Sequence, residues 1–284
     1  MPNDPERNPG HDLDDVEIER YARHLVLPEI GEEGQLRLLA SRVLIVGAGG
    51  LGAPLVQYLA AAGVGALGIL DDDRVELSNL QRQPLHGTAD LDRPKVESAA
   101  ERAAALNPQV AIEPHGLRLT ADNAAGLIAA YDLVADASDN PATRYLINDA
   151  CYLAKRPLVT AAVMRFDGQL TTFKAYEDDR SAAGHGPCYR CLFGNEVGDA
   201  KDSCADVGVL GALPGILGSL QAMEVIKELL GIGDSLSGRL LLYDALATGF
   251  RTIRIQADPG CPLCGPQASI RDVSAERYLT GCTL

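Results

Sequence analysis

The sequence predicts an α/β protein: a Rossmann-like nucleotide-binding sheet, mostly parallel, extended by antiparallel strands and carrying a structural zinc site. Three observations lead to this. The apolar run VLIV at 43–46 is followed at once by the glycine turn GAGGLG and an apolar helical stretch from Ala53, the opening of a βαβ unit. Apolar runs and helical periodicities then alternate until GQLTTFKA at 168–175, whose two-residue period fits an antiparallel strand added to the parallel set. Finally, CYRC at 188–191 and CPLC at 261–264 have the spacing of paired metal knuckles.

The elements follow in order. Residues 1–14, rich in Asp, Asn, Pro and Gly, are expected to form a disordered lead. Val16, Ile18, Tyr21 and Leu25 recur among charges and predict a short helix ending before Pro28, with a second helix over 32–39. The strand at 66–70 ends in Asp71, Asp72 and Asp73, which places an acid about 20 residues past the glycines, where a ribose is held. A helix from Lys95 to Leu106, a strand near Val110 and a helix from Asp122 to Ala130 lead into DLVADASDN at 132–140, a strand expected to end in Asp139. After it come a helix from Arg144 to Leu153 and the strand PLVTAAV. The stretch 177–208 has little periodicity and reads as a cysteine-rich insertion. Pro214 opens a helical stripe of Leu217, Leu220, Met223, Ile226 and Leu230, and the strands RLLLY and FRTIRI flank the turn DALATG. No repeat is evident, so the expectation is one domain over 15–270 followed by a tail at 271–284.

Composition narrows the function. With 284 residues, 46% of them hydrophobic and 23% charged, the chain is neither collagenous, coiled-coil nor wholly disordered. A net charge of −14 argues against non-specific nucleic-acid binding, so any basic site must be local. No apolar run approaches 18 residues, and the acidic N-terminus has no positive n-region, so no membrane association and a cytoplasmic location are expected. Seven cysteines, an odd number, argue for metal or thiol chemistry over a disulfide framework.

Gly47, Gly49, Gly50 and Gly52 suit close approach of a phosphate to backbone at a helix N-terminus. That turn, with Asp71 and its neighbour Asp73, fits a dinucleotide oxidoreductase as well as an ATP user. Asn79, Arg82 and Lys95, together with Asp139 and Asn140 from another strand end, suit a triphosphate with Mg²⁺ and would be idle in an NAD-dependent dehydrogenase. Cys188, Cys191, Cys261 and Cys264 provide four thiolates, which complete a tetrahedral Zn²⁺ site and leave no open position, so the metal is expected to be structural. Cys204 is a lone thiol in a polar segment, a nucleophile if a helix end or an arginine lowers its pKa. Cys151 reads as core and Cys282 as incidental. The five scattered histidines are given no catalytic task.

RYARH, VLIVGAGGLG, DDDRVELSNLQRQ, RPKVESA, ASDN, CYRCLF, GVLG, GSLQAMEVIK and GCPLCG stand in an order and spacing that resemble the ThiF/MoeB family, bacterial relatives of ubiquitin-activating enzymes, from about Glu19 to Gly265. The resemblance implies a homodimeric adenylyltransferase that activates the C-terminal glycine of a small ubiquitin-like sulfur-carrier protein ending in Gly-Gly, using ATP and Mg²⁺, with Zn²⁺ as a structural metal. By position it implies that Asp71 holds the ribose, that Asn79, Arg82 and Lys95 contact phosphates, and that Asp139 binds Mg²⁺. It also implies that Arg23 reaches into the neighbouring subunit's site and that Cys204 takes up the carrier covalently, as in some members. No rhodanese-like domain follows, so a separate sulfurtransferase or cysteine desulfurase is expected. A carboxylate nucleophile, with a pKa of about 3.5, needs no general base at neutral pH, consistent with the unassigned histidines. The alternatives are an NAD-dependent oxidoreductase or a member that adenylates a tRNA nucleoside; molybdopterin, thiamin and tRNA thiolation all stay open as the pathway.

Overall fold

The computed structural model describes residues 12–177, 186–195 and 208–278. Its frame is an eight-stranded sheet in the order β3-β2-β1-β4-β5-β6-β7-β8. The strands are β1 (Arg42–Val46), β2 (Ala66–Leu70), β3 (Ala111–His115), β4 (Leu133–Asp136), β5 (Leu158–Met164), β6 (Asp167–Phe173), β7 (Arg239–Asp244) and β8 (Gly249–Arg254). The first five pair in parallel; β6, β7 and β8 add antiparallel strands one after another. The expected antiparallel extension therefore runs for three strands.

The helices are α1 (Asp15–Leu25), α2 (Gly31–Ala40), α3 (Gly52–Ala62), α4 (Lys95–Leu106), α5 (Ala121–Ala129), α6 (Pro141–Ala154), α7 (Tyr189–Phe193) and α8 (Ala212–Leu230). Strand β1 shows why its sequence is uninterrupted and apolar. Val43 and Ile45 enter one core with Leu55, Leu59 and Leu217, while Leu44 and Val46 enter a second core with Tyr131, Ile147 and Phe173. Both sheet faces are covered, so neither set of alternate residues meets water. Helix α8 is fixed to the sheet by the Gln221 amide, which donates to the carbonyls of Asp136 (2.8 Å) and Val159 (3.0 Å). From β1 the chain passes to β2 on one side and returns as β4 on the other. That reversal opens a crevice beyond the carboxyl ends of β1 and β4, the place where doubly wound sheets hold ligands.

Several boundaries differ from the sequence reading. The lead yields Asp14 to the fold: its carboxylate accepts the Glu17 N–H (2.8 Å) and Glu17 accepts the Asp14 N–H (3.0 Å), a reciprocal cap that starts α1. Strand β4 ends at Asp136, not Asp139. The Asp136 carboxylate, 1% exposed, accepts the Ser138 N–H and hydroxyl and the Thr160 hydroxyl, which turns the chain out of the ladder. Helix α6 then begins at Pro141, because Asn140 accepts the Thr143 N–H at 2.9 Å as N-cap and proline suits the first helical position. In the cysteine-rich stretch, Tyr189–Phe193 forms a short helix. The expected tail also docks: Tyr278 is buried and donates to Asp149 at 2.8 Å.

Candidate nucleotide site and four-cysteine cluster

The crevice holds a cavity of about 600 Å³. Gly47, Gly49 and Gly50 form its floor at the end of β1. Two glycines are required here by space. A Cβ on Gly47, whose φ is +102°, would lie 2.7 Å from the Ala137 carbonyl oxygen, and a Cβ on Gly52 would lie 2.0 Å from the Gly47 oxygen. Gly52 thus acts beneath the turn and does not line the cavity, letting α3 start where the backbone folds over it.

Asp71, Asp72 and Asp73 enter from β2. The Asp71 carboxylate accepts the N–H groups of Ala48 (2.8 Å) and Asp73 (2.9 Å), tying the strand end to the glycine turn. Burial raises its pKa, opposed mainly by Lys95. Lys95, 5% exposed at the start of α4, donates to Asp73 at 2.7 Å and stands 4.0 Å from Asp71. Arg82 reaches the cavity and donates to the Ser78 carbonyl at 2.9 Å. Asp139 and Asn140 close the opposite wall.

Asn79 lies behind this wall. Its side chain accepts the Glu76 N–H at 3.3 Å and donates to the Ser78 hydroxyl at 3.4 Å, shaping the turn that presents Arg82. Arg23 is exposed on α1 and does not line the cavity. Cys204 lies outside the described residues. Sequence reading missed Gln83, Arg118, Ser138 and Arg144, all of which line the cavity. Arg144 was legible in principle, one helical turn past Asn140 on the same face; its guanidinium donates to the Ser138 carbonyl. Arg118 follows β3 and becomes a cavity residue only through the strand order. Four cations, Arg82, Lys95, Arg118 and Arg144, thus line the cavity together with four carboxylates, Asp71, Asp72, Asp73 and Asp139.

His86 supports the turn from below. Its Nε2 donates to the Ala48 carbonyl (3.0 Å), which leaves Nδ1 to accept from the Ser98 hydroxyl (3.0 Å), and burial lowers its pKa.

The two CxxC pairs meet in a separate cluster. Sγ–Sγ distances are 3.4 Å for Cys191 and Cys264, 3.6 Å for Cys188 and Cys261, and 3.9 Å for Cys188 and Cys191. A tetrahedron with Zn–S bonds of about 2.3 Å has edges of about 3.8 Å, so the four sulfurs fit zinc as they stand. Hydrogen bonds among the four sulfurs hold the Cys191 and Cys261 thiols below their usual range and push those of Cys188 and Cys264 above it, so the cluster shares protons among its sulfurs. Between Cys188 and Cys191 sits Arg190. It forms a two-pronged ion pair with Asp149 of α6 (2.8 and 2.6 Å), both side chains being at most 1% exposed, and the hydroxyl of Tyr278 and the amide of Asn148 complete the carboxylate's bonds. Cys151 is buried in the core, as expected.

The sequence model of the ThiF family matches residues 21–263. This chain belongs to the ThiF family. Among curated ThiF-like relatives, it is 50% identical over 258 residues to the sulfur carrier protein adenylyltransferase of Thermus thermophilus, covering 90% of this chain and 94% of that one. To the SAMP-activating enzyme E1 of Haloferax volcanii it is 49% identical, covering 96% and 97%. It is 54% identical over 259 residues to the bovine adenylyltransferase and sulfurtransferase MOCS3, covering 90% of this chain but 55% of that one, so it spans about half of the bovine protein. Among solved structures, Escherichia coli MccB crystallised with ATP superposes with a TM-score of 0.73 at 19% identity, covering 89% of this chain and 75% of that one. PaaA superposes at 0.71 and 20% identity, covering 88% and 76%. At such identities these two report the fold alone. No helix among the described residues is long and apolar enough to cross a membrane.

Proposed function

We propose that this ThiF-family chain is an ATP-dependent adenylyltransferase that activates the C-terminal glycine carboxylate of a small ubiquitin-like sulfur-carrier protein ending in Gly-Gly. The observation that carries the reading is the convergence of the glycine turn, Arg82, Lys95 and Asp139 on one cavity. The relatives' names supply the substrate class.

A carboxylate oxygen of the carrier attacks the α-phosphorus of ATP, the bond to the β-phosphate oxygen breaks, and pyrophosphate leaves; no proton is transferred. The barrier is repulsion between two anions and charge building on the leaving group. The residues answer both. Backbone N–H groups of the glycine turn and the N-terminus of α3 present positive dipole ends to phosphate. Arg82 and Lys95 add charge from the opposite rim, Lys95 by exchanging its ion pair with the exposed Asp73 for a phosphate oxygen. Asp71 is placed for a ribose hydroxyl. Asp139 and Asn140 sit at the N-terminus of α6, and Asp139, an exposed carboxylate on the wall, suits a magnesium ion that takes one or two carboxylates plus phosphates. Mg²⁺, when bound, would neutralise charge on the phosphates.

An NAD-dependent dehydrogenase leaves this cationic set without a task. A tRNA-adenylating relative is disfavoured by the −14 charge. The rest of the reading follows the resemblance: a cytoplasmic homodimer in which Arg23 completes the partner's site, a covalent role for Cys204, sulfur from a separate sulfurtransferase or desulfurase, and structural Zn²⁺ on the four cysteines. The test is ATP–pyrophosphate exchange with purified carrier. Exchange is expected with a carrier ending in Gly-Gly and absent when its last glycine is deleted; exchange indifferent to the carrier, or tight NAD binding without ATP binding, overturns the reading.

A further inference from the structure

Two buried acids show how this fold normally treats an enclosed carboxylate: Asp149 is matched by Arg190, and Glu224 by Lys227. Asp136 differs from both. It is 1% exposed, and its partners are the Ser138 N–H (2.9 Å), the Ser138 hydroxyl (2.6 Å) and the Thr160 hydroxyl (2.7 Å), all neutral. No cation pairs with it among the described residues. Its backbone is fixed from behind: the Gln221 amide donates to the Asp136 carbonyl at 2.8 Å, and the next N–H, that of Ala137, donates to Val46 at 2.8 Å.

A charge in a core without a cation beside it is costly, and asparagine, of the same size, would accept the Ser138 donors without that cost. The loop that Asp136 holds shows what the charge serves. Ser138 is bound on both sides, its N–H and hydroxyl by Asp136 and its carbonyl by Arg144, and Asn140 is bound as the cap of α6. Asp139 lies between these two fixed residues, exposed on the cavity wall, and its carboxylate has no partner among the described residues. One buried and one exposed negative charge therefore belong to the same wall, three residues apart. A field of that sign opposes bare phosphate and favours a cation, and salt screens its buried source much less than a surface charge.

We propose that Asp136 is a positioning residue for the divalent cation of the adenylation site: it fixes the loop 137–140 so that Asp139 faces the cavity, and its own charge, beneath that wall, selects nucleotide with its metal over nucleotide without it. This rests on the adenylation reading above. The test is calorimetry without carrier, with ATP affinity measured in EDTA and again in excess Mg²⁺. Asp136→Asn keeps size and removes the charge, so its thermal midpoint is expected to stay level or rise. In EDTA the variant should bind ATP as tightly as the wild type or more tightly, since a repulsion has gone, whereas the gain in affinity from Mg²⁺ should fall about tenfold. Carrier-dependent exchange should then need about tenfold more Mg²⁺ for half-maximal turnover. A residue that only shaped the fold would weaken ATP binding with and without metal and lower the midpoint, and that outcome overturns the proposal. So does a gain from Mg²⁺ equal in variant and wild type. If Asp136→Asn does not fold, Thr160→Val, which withdraws one of the bonds holding the carboxylate and touches no cavity residue, takes the same measurements, with a fall of about threefold expected. If the wild type exchanges with no Gly-Gly carrier, the adenylation reading fails, and the comparison of ATP affinities still decides the role of Asp136; a wild type that gains nothing from Mg²⁺ overturns that role alone.

Discussion

At the scale of single residues, the site depends on side chains that do little for the fold. Asp139 is exposed, and Asn140, not Asp139, caps α6. Asp139→Ala is therefore expected to leave the thermal midpoint within a degree or two while exchange falls by more than about 100-fold, as magnesium leaves the pyrophosphate side. His86 behaves oppositely: it touches no substrate and holds the turn. Its folded pKa is lowered by burial, so below the ordinary histidine value of about 6.5 the unfolded chain binds the proton and the folded one resists it. Stability from this group is fully present above that pH and is lost as pH falls. Between pH 6.5 and 5.5 the loss is at most about 1.4 kcal/mol, and it should shrink in His86→Gln when both proteins are compared by urea unfolding.

Between elements, the CYRC segment makes two connections: it supplies two of the four clustered cysteines and, through Arg190, an ion pair to α6. Removing one partner leaves a charge buried without compensation. Arg190→Met is expected to cost about 3–5 kcal/mol in chemical denaturation, and replacing both residues, Arg190→Met with Asp149→Leu, to cost less than the single change. The four cysteines should hold one Zn²⁺ per chain by elemental analysis. Cys188→Ala should lose the metal and lower the midpoint, because a closed tetrahedral site adds folding energy. Since α6 also begins at the cavity wall, both sets of variants bear on how firmly Asn140 and Arg144 are held.

For the whole molecule, the open question is assembly. Arg23 is exposed on α1 and outside the cavity of its own chain, as a residue donated to a partner would be. If two subunits exchange arginines across a two-fold axis, Arg23→Ala and Lys95→Ala homodimers should both be nearly inactive. Mixed under subunit exchange, half the dimers carry one intact site of two, so up to about a quarter of wild-type activity should return. Exchange confirmed by mass spectrometry with no recovery would place Arg23 within its own chain.

What the sequence determined by itself is local and periodic. The strand–glycine–helix opening, the ladder of apolar runs, the antiparallel change at 168–175 and the two cysteine knuckles were legible because each is encoded within a few residues or at short fixed spacing. The end of β4 was not, since it is set by the bonds of the Asp136 side chain to Ser138 and to Thr160, 24 residues away. Nor was the docking of Tyr278, whose partner Asp149 is 129 residues distant. The cavity shows the same division. Gly47, Asp71 and Lys95 announce themselves through motif and spacing, whereas Arg118 follows an edge strand and Gln83 follows a short turn. Only the strand order β3-β2-β1-β4 brings Arg118 to the cavity. Only the packing of the 79–83 turn against Gly49 and Gly50 brings Gln83 there, because contacts between distant segments have no period in the chain.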